Sequence, residues 1–262
     1  MKNIFVIICV LFASNSIGQL KQKTADKLFD NLEYFKCVEM YSELADRAIA
    51  GKKKGNWDNL NKAAVSNYHL FRMKDAAHYY ELLHSKNKLN EEDRMHYVEA
   101  LRFTEKYGKS QEIARESTNL FPKNSYFSTI HANKDQFNAL FSVSAFYRLK
   151  EASVNSGRGD FAAVYYQNSI VYASKSRNTG FITPKYGWDN DYYLNIMQSN
   201  FGTDSILESP TMLKHQFISK AHDGPVAFNS DGTEMIITKN TLGKKNGKEA
   251  IVLSIYFSKM ES

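Results

Sequence analysis

Glycine is spread unevenly along this chain, and that distribution restricts the fold more than any other feature. Of 13 glycines, 4 lie in residues 1–122 and 9 lie between 157 and 262. Glycine weakens helix interiors and serves turns, so the first part reads as helices and the last part as strands joined by turns. The expected fold class is therefore α+β and multidomain, a helical N-terminal part followed by β-sheet units. A length of 262 residues is enough for two modest cores, and a composition with 43% hydrophobic and 13% aromatic residues excludes a disordered chain.

In the helical part, the stretches KCVEMYSELA (36–45), DAAHYYELLH (75–84) and KSQEIAREST (109–118) each follow another amphipathic stretch. Setting Cys37, Ala76 and Ser110 in register spaces them 39 and then 34 residues apart, and GKKKG at 51–55 accounts for the longer first interval. Paired helices at a period of about 34 residues are the tetratricopeptide signature. Small residues at the aligned position let two helices cross closely, and Tyr41, Tyr80 and Ala114 occupy the next layer. Pro122 closes the third unit. Asn90, followed by Glu91, Glu92 and Asp93, predicts an N-cap with an acidic first turn in preference to an acid/base site. Trp57 opens the second unit as a packing residue. Stacked helix pairs present a groove, and the register places Asn61, His69, Glu99 and Arg102 on it as candidate partner-binding residues. The repeats span 19–122, and 123–158 is a connecting region with a helical piece, QFNALFSVSAF, and a loop, NSGRG.

The last part contains a duplication. DFAAVYYQNSIVYASKSRN (160–178) resembles DGPVAFNSDGTEMIITKN (223–240), with Asp160 opposite Asp223, Val164-Tyr165 opposite Ala227-Phe228, and Ile170 to Ala173 opposite Met235 to Thr238, at offsets of 63 to 65. Asp231-Gly232 predicts a tight two-residue turn. A further strand-like segment follows each hairpin, YYLNIMQ (192–198) and VLSIYFS (252–258). Strand, turn, strand, longer loop, strand is the order of a β-propeller blade, so 159–262 reads as two blade-like repeats of an incomplete propeller. Two halves of one small β-sandwich are the competing reading.

The opening MKNIFVIICVLFASNSIGQ has Lys2, an apolar run from Ile4 to Phe12, and small residues at Ser16 and Gly18, the pattern of a signal peptide (1–18) cleaved before Gln19. The run is too short to span a bilayer, and Ile8 before Cys9 disfavours lipidation. Cleavage leaves Cys37 as the sole cysteine, which excludes an internal disulfide and makes a buried structural thiol the expectation. The net charge of +6 falls by one with Lys2, and the Lys52–Lys54 run reads as a solvated loop. An exported chain without interleaved basic and aromatic residues gives no support to a nucleic-acid partner.

Chemistry-bearing patterns are sparse. Histidines stand at 69, 78, 84, 96, 131, 215 and 222 without ligand spacing, and no nucleophile elbow or phosphate loop occurs, so no catalytic residue, metal or cofactor is expected. SGRGD around Arg158 reads as a turn into the first β-unit. Asp189, Asn190 and Asp191 lack the full spacing of a calcium loop and read as a strand-capping loop. Trp188 lies in a loop where it either packs or meets a partner.

The segment HDGPVAFNSDGTEMIITKN resembles the TolB/WD-like propeller repeat of Bacteroidetes envelope proteins. VNSGRGDFAAVYYQNSIVYASKSRN resembles the first blade of those proteins, and the helical repeats match their domain order. The resemblance, over about residues 20 to 262, is to the OmpA-like group, in which helical repeats and a propeller precede a peptidoglycan-binding domain and some members serve type IX secretion. It implies a non-enzymatic, exported scaffold of the periplasm or outer membrane that meets envelope proteins through its groove, the chain being either an N-terminal part of a longer protein or one that completes its ring of sheets with another chain. Peptidoglycan becomes a partner only through a domain that these residues do not match. A rival expectation is an envelope protein capturing a glycan or peptide nutrient. An enzyme reading would need its nucleophile outside this sequence.

Overall fold

A computed structural model of the protein describes residues 20–49, 57–132, 150–175, 184–203, 206–213, 221–245 and 248–259. The leader with Cys9, the Lys52–Lys54 run and QFNALFSVSAF lie outside these residues. The chain is α+β, helices first and strands after. It divides into two compact units, Met1–Ala145 with Gly187–Asp189, and Phe146–Tyr186 with Asn190–Ser262.

The first unit contains α1 (20–30), α2 (Tyr34–Ile49), α3 (Trp57–His69), α4 (Met73–His84), α5 (Glu91–Phe103), α6 (Tyr107–Leu120) and α7 (Ser125–Ala132). From α2 to α7 each helix packs on the next in sequence, and α3 also touches α5. Helix α7 falls in the stretch expected as a connecting region. Asn90 caps α5 as expected: its side chain accepts from Asp93 N at 2.8 Å and the Asp93 carboxylate accepts from Asn90 N at 3.3 Å, closing a capping box.

Four turns of this unit share one backbone geometry: one follows α4, with Asn87 at φ 52°, and the other three recur in step along the chain. Leu32, Phe71 and Glu105 have φ of 60°, 57° and 62°. Their N–H groups donate to the carbonyls of Phe29, Tyr68 and Arg102 at 2.8, 3.0 and 3.0 Å. The N–H groups of the next residues, Glu33, Arg72 and Lys106, donate to Leu28, Asn67 and Leu101 at 2.8, 2.9 and 2.8 Å. Each turn is a Schellman closure, which satisfies the last carbonyls of one helix and reverses the chain into the next. These positions recur at the same 39- and 34-residue intervals as Cys37, Ala76 and Ser110, which are 0%, 0% and 1% exposed. Tyr41, Tyr80 and Ala114 are fully buried beside them in the main core.

The second unit holds two antiparallel sheets. The first is β1 (Asp160–Tyr166), β2 (Ser169–Ser174), β3 (Asn195–Asn200) and β4 (Thr211–Met212), and the second is β5 (Asp223–Phe228), β6 (Glu234–Lys245) and β7 (Lys248–Lys259), each in that spatial order. The duplicated hairpins pair in one register. Asp160 faces Ser174 as Asp223 faces Lys239, Val164 faces Val171 as Ala227 faces Ile236, and Tyr165 faces Ile170 as Phe228 faces Met235. Lys175 N donates to Gly159 O at 3.1 Å and Asn240 N donates to His222 O at 2.9 Å, which ties off both hairpins alike. Both carry a bulge just after the aspartate, between Phe161 and Val164 and between Asp223 and Val226.

The turns differ from each other, and one differs from expectation. Gln167 and Asn168 form the two-residue turn of the first hairpin, with Gln167 at φ 51°. In the second, the last ladder pair is Phe228 with Met235, so Asp231-Gly232 sits in a longer loop. Asp231 Oδ1 accepts from Thr233 N at 3.0 Å and from Thr233 Oγ1 at 2.6 Å. That Asx turn uses the Asp-Gly pair to round a wider corner, with Gly232 supplying φ 74°.

Equivalent residues of the two sheets face opposite ways. Val171 and Ala173 of the first sheet point into a core shared with Val226, Met235 and Ile237 of the second. Their counterparts in the second sheet, Ile236 and Thr238, point outward. Ile237 is fully buried in that shared core, whereas its counterpart Tyr172 packs on the opposite face with Val154 and Met197.

Candidate functional site

Among the described residues, the densest grouping of aromatic and titratable side chains lies on the helical unit. Tyr68 and His69 end α3, while His96, Glu99 and Arg102 recur at three-residue steps on α5, which keeps them on one face. Tyr68 and His96 stack at 4.0 Å between ring centroids, and Tyr34 and His69 stack at 4.6 Å. His69 and His96 meet edge to face at 6.1 Å, which joins the two pairs into one row.

Trp188 belongs to this unit and packs edge-on against Tyr34 at 4.7 Å and His69 at 5.1 Å. Its indole Nε1 donates to His69 O at 3.1 Å, and its carbonyl accepts from Phe35 N at 3.1 Å. Of the two roles open to Trp188 in the sequence, the structure shows packing. Trp57 begins α3 and is 37% exposed.

The polar end of the row is built around Glu99. The Tyr68 hydroxyl donates to Glu99 Oε2, and the Tyr80 hydroxyl lies 3.2 Å from His96 Nδ1. Burial, then the hydrogen bond and charge of Glu99, pushes the Tyr68 hydroxyl well above its ordinary value. Burial, then the charge of Glu99, pushes Tyr126 up to about 12, with Arg102 opposing. Both phenols therefore stay protonated across the neutral range, and Tyr68 is the one that donates to Glu99. Burial, then electrostatic coupling to the neighbouring His96 imidazole, holds His69 below its ordinary value.

Of the four residues singled out from sequence, His69 and Glu99 enter this row, and Arg102 joins it through Tyr126. Asn61 is half-buried two turns before Tyr68 on the same stripe of α3. All four are half-buried. Tyr34, Tyr68, His96 and Tyr126 were not singled out. The signal available for Tyr68 and His96 was their helical spacing from Asn61 and Glu99.

Other residues considered from sequence are engaged structurally. Cys37 is fully buried with Sγ 3.6 Å from Ser66 Oγ, and burial pushes its thiol up. Asp191 Oδ1 accepts from Arg158 Nη1 at 3.0 Å and from Tyr192 N at 2.8 Å, beside the bridge between Lys185 and Tyr192. Among the described residues, no set of three His, Cys, Asp or Glu side chains is placed to hold a metal ion, and no helix is long and apolar enough to cross a membrane. No family model, curated protein or solved structure matches the chain. Fold and site thus define an α+β chain whose helical unit carries a half-buried aromatic and charged face.

Proposed function

We propose that the protein is a non-enzymatic scaffold of the cell envelope, with tetratricopeptide-like helices that hold a protein partner and β-propeller-type units that follow them. The supporting observation is the recurrence of one Schellman turn at Leu32, Phe71 and Glu105 in step with Cys37, Ala76 and Ser110. A turn repeated at the sequence period gives each helix pair the same internal crossing, and like pairs stacked side by side curve around a groove. Glu99, Arg102, His69 and Asn61 lie on the odd-numbered helices, the ones that would line it. The partner is an envelope protein, met after export to the periplasm or outer membrane. The leader pattern and the resemblance to OmpA-like proteins linked to type IX secretion support that location.

Charge reversal tests the groove. Glu99→Lys combined with Arg102→Glu in the mature chain is expected to abolish chemical cross-linking to its envelope partner while the helical circular dichroism is retained. Unchanged cross-linking with retained helicity sinks the groove reading.

A further inference from the structure

We infer that the edge of the helical unit formed by Phe71, Lys74 and Phe103 is a docking slot for an extended segment of a partner protein, one that carries an aromatic residue followed by an acidic one. The chain's own Gly187–Asp189, which belongs to the helical unit, fills the preceding slot of the same repeat. There Trp188 lies between the start of α2 and the end of α3. Its ring packs on Tyr34 and His69, its carbonyl accepts from Phe35 N at 3.1 Å, and its indole Nε1 donates to His69 O at 3.1 Å. The carbonyl thus satisfies an orphan donor at one helix N-terminus, and the indole an orphan acceptor at a neighbouring C-terminus.

One repeat further on, the same seat recurs. Helices α2 and α4 begin at Tyr34 and Met73, 39 residues apart, and α3 and α5 end at His69 and Phe103, 34 residues apart. Met73 therefore stands where Tyr34 does, Lys74 where Phe35 does, and Phe103 where His69 does. Met73 supplies a thioether in place of a ring, and both pack well against aromatic side chains. Among the described residues, neither Lys74 N nor Phe103 O has a hydrogen-bond partner. Phe71 and Phe103 lie 6.4 Å apart between ring centroids and are 72% and 64% exposed, so apolar surface adjoins the unpaired backbone groups.

The segment seated in the first slot and the charges around the second identify the occupant. Backbone bonds to helix ends hold an extended segment in place, and the ring gives it specificity. In the first slot the ring is Trp188, and Asp189 follows it. Around the second slot, exposed Arg72, Lys74 and Lys106 outnumber exposed Asp75 and Glu105, so an acidic residue after the ring meets a complementary field. Each chain holds its own Trp188 in the first slot, which leaves the second to another protein. The second slot uses none of Asn61, His69, Glu99 and Arg102, so the inference shares the helical repeat with the proposed function and goes beyond its groove.

A peptide copied from the chain's own segment tests it. Fluorescein-labelled PKYGWDND, residues 184–191, is expected to bind the mature chain with micromolar affinity in fluorescence anisotropy. Phe71→Ser with Phe103→Ser should weaken that binding about ten-fold and retain the helical circular dichroism, since both rings are exposed. Phe103→Ser alone serves should the pair disturb folding. The peptide carrying Trp188→Ala is expected not to bind. No binding at millimolar peptide, equal binding to the serine variants, or equal binding by the peptide without tryptophan overturns the inference. Glu99→Lys with Arg102→Glu should leave the peptide affinity unchanged. Loss of binding there, with retention in the serine variants, assigns the peptide to the groove and overturns the slot while the groove reading stands. A dimer that grows with concentration in sedimentation and is abolished by the serine variants assigns the slot to a second copy, which also overturns the inference.

Discussion

Lys239 Nζ lies 3.6 Å from Asp223 Oδ1, and only 8% and 2% of the two side chains are exposed. They are directly opposed on β5 and β6, and the Lys239 ammonium also lies 5.7 Å from the Tyr256 ring centroid. The first hairpin has no such ion pair at the equivalent place. There Asp160 faces Ser174 and its carboxylate accepts from the N–H and hydroxyl of Ser156 at 2.6 and 2.8 Å. The duplicated aspartate thus ties the strand to its approach loop in one unit and to its neighbouring strand in the other.

Breaking the Asp223–Lys239 pair from one side leaves a buried charge without this counterion, so Asp223→Ala or Lys239→Ala is expected to cost about 3 kcal/mol. Replacing both, as Asp223→Leu with Lys239→Met, removes two desolvated charges together and should cost less than either single change. Urea denaturation of the four proteins measures the coupling. Costs that simply add would show that the two groups do not stabilise each other.

Glu105 adopts φ 62° on an exposed turn where a side chain gains nothing from the left-handed conformation. Glu105→Gly removes the steric penalty of that conformation and is expected to raise stability by about 0.5–1 kcal/mol. Phe71→Gly relieves the same strain but loses the Phe71–Phe103 contact at 6.4 Å, so its gain should be smaller. Thermal midpoints rank the pair, and a lower midpoint for Glu105→Gly would contradict the turn geometry.

The helical repeat was legible because close helix crossing demands small side chains, and Cys37, Ala76 and Ser110 display that demand directly. The turns were not legible, because Leu32, Phe71 and Glu105 occupy positions where glycine would have been the signal. The hairpin register could be read from the apolar pattern, yet which face of each copy is buried could not. Val171 and Ile236 are equivalent in sequence and differ only in what packs on them. Part of the site was visible through helical spacing, in His69 and Glu99. The docking of Trp188 was not, since its hydrogen bond to His69 joins residues 119 positions apart and leaves no local pattern.

Ala76 is fully buried where α4 packs against its neighbours. Ala76→Leu forces added methylenes into a close crossing and is expected to cost about 2 kcal/mol or more. Lys74→Leu, on the exposed side of the same helix, should change stability by less than about 0.5 kcal/mol. Guanidinium denaturation separates the two, and a tolerated Ala76→Leu would contradict the tight crossing.

His69 gives the helical unit a pH response whose sign follows from its surroundings. Burial, then electrostatic coupling to His96, lowers its pKa from the ordinary 6.5, with Glu92 acting in the opposite direction. The folded imidazole therefore stays neutral at pH values where the unfolded chain has begun to protonate. The unfolded state then binds more protons, and stability falls as pH drops through about 6.5 until the folded group itself titrates. Below that point this residue contributes no further slope. His69→Gln keeps a side chain of similar polarity without the titration, so the urea midpoint of the variant should change less between pH 7.5 and pH 5 than that of the parent. Parallel pH profiles for the two proteins would exclude His69 as the source of the response.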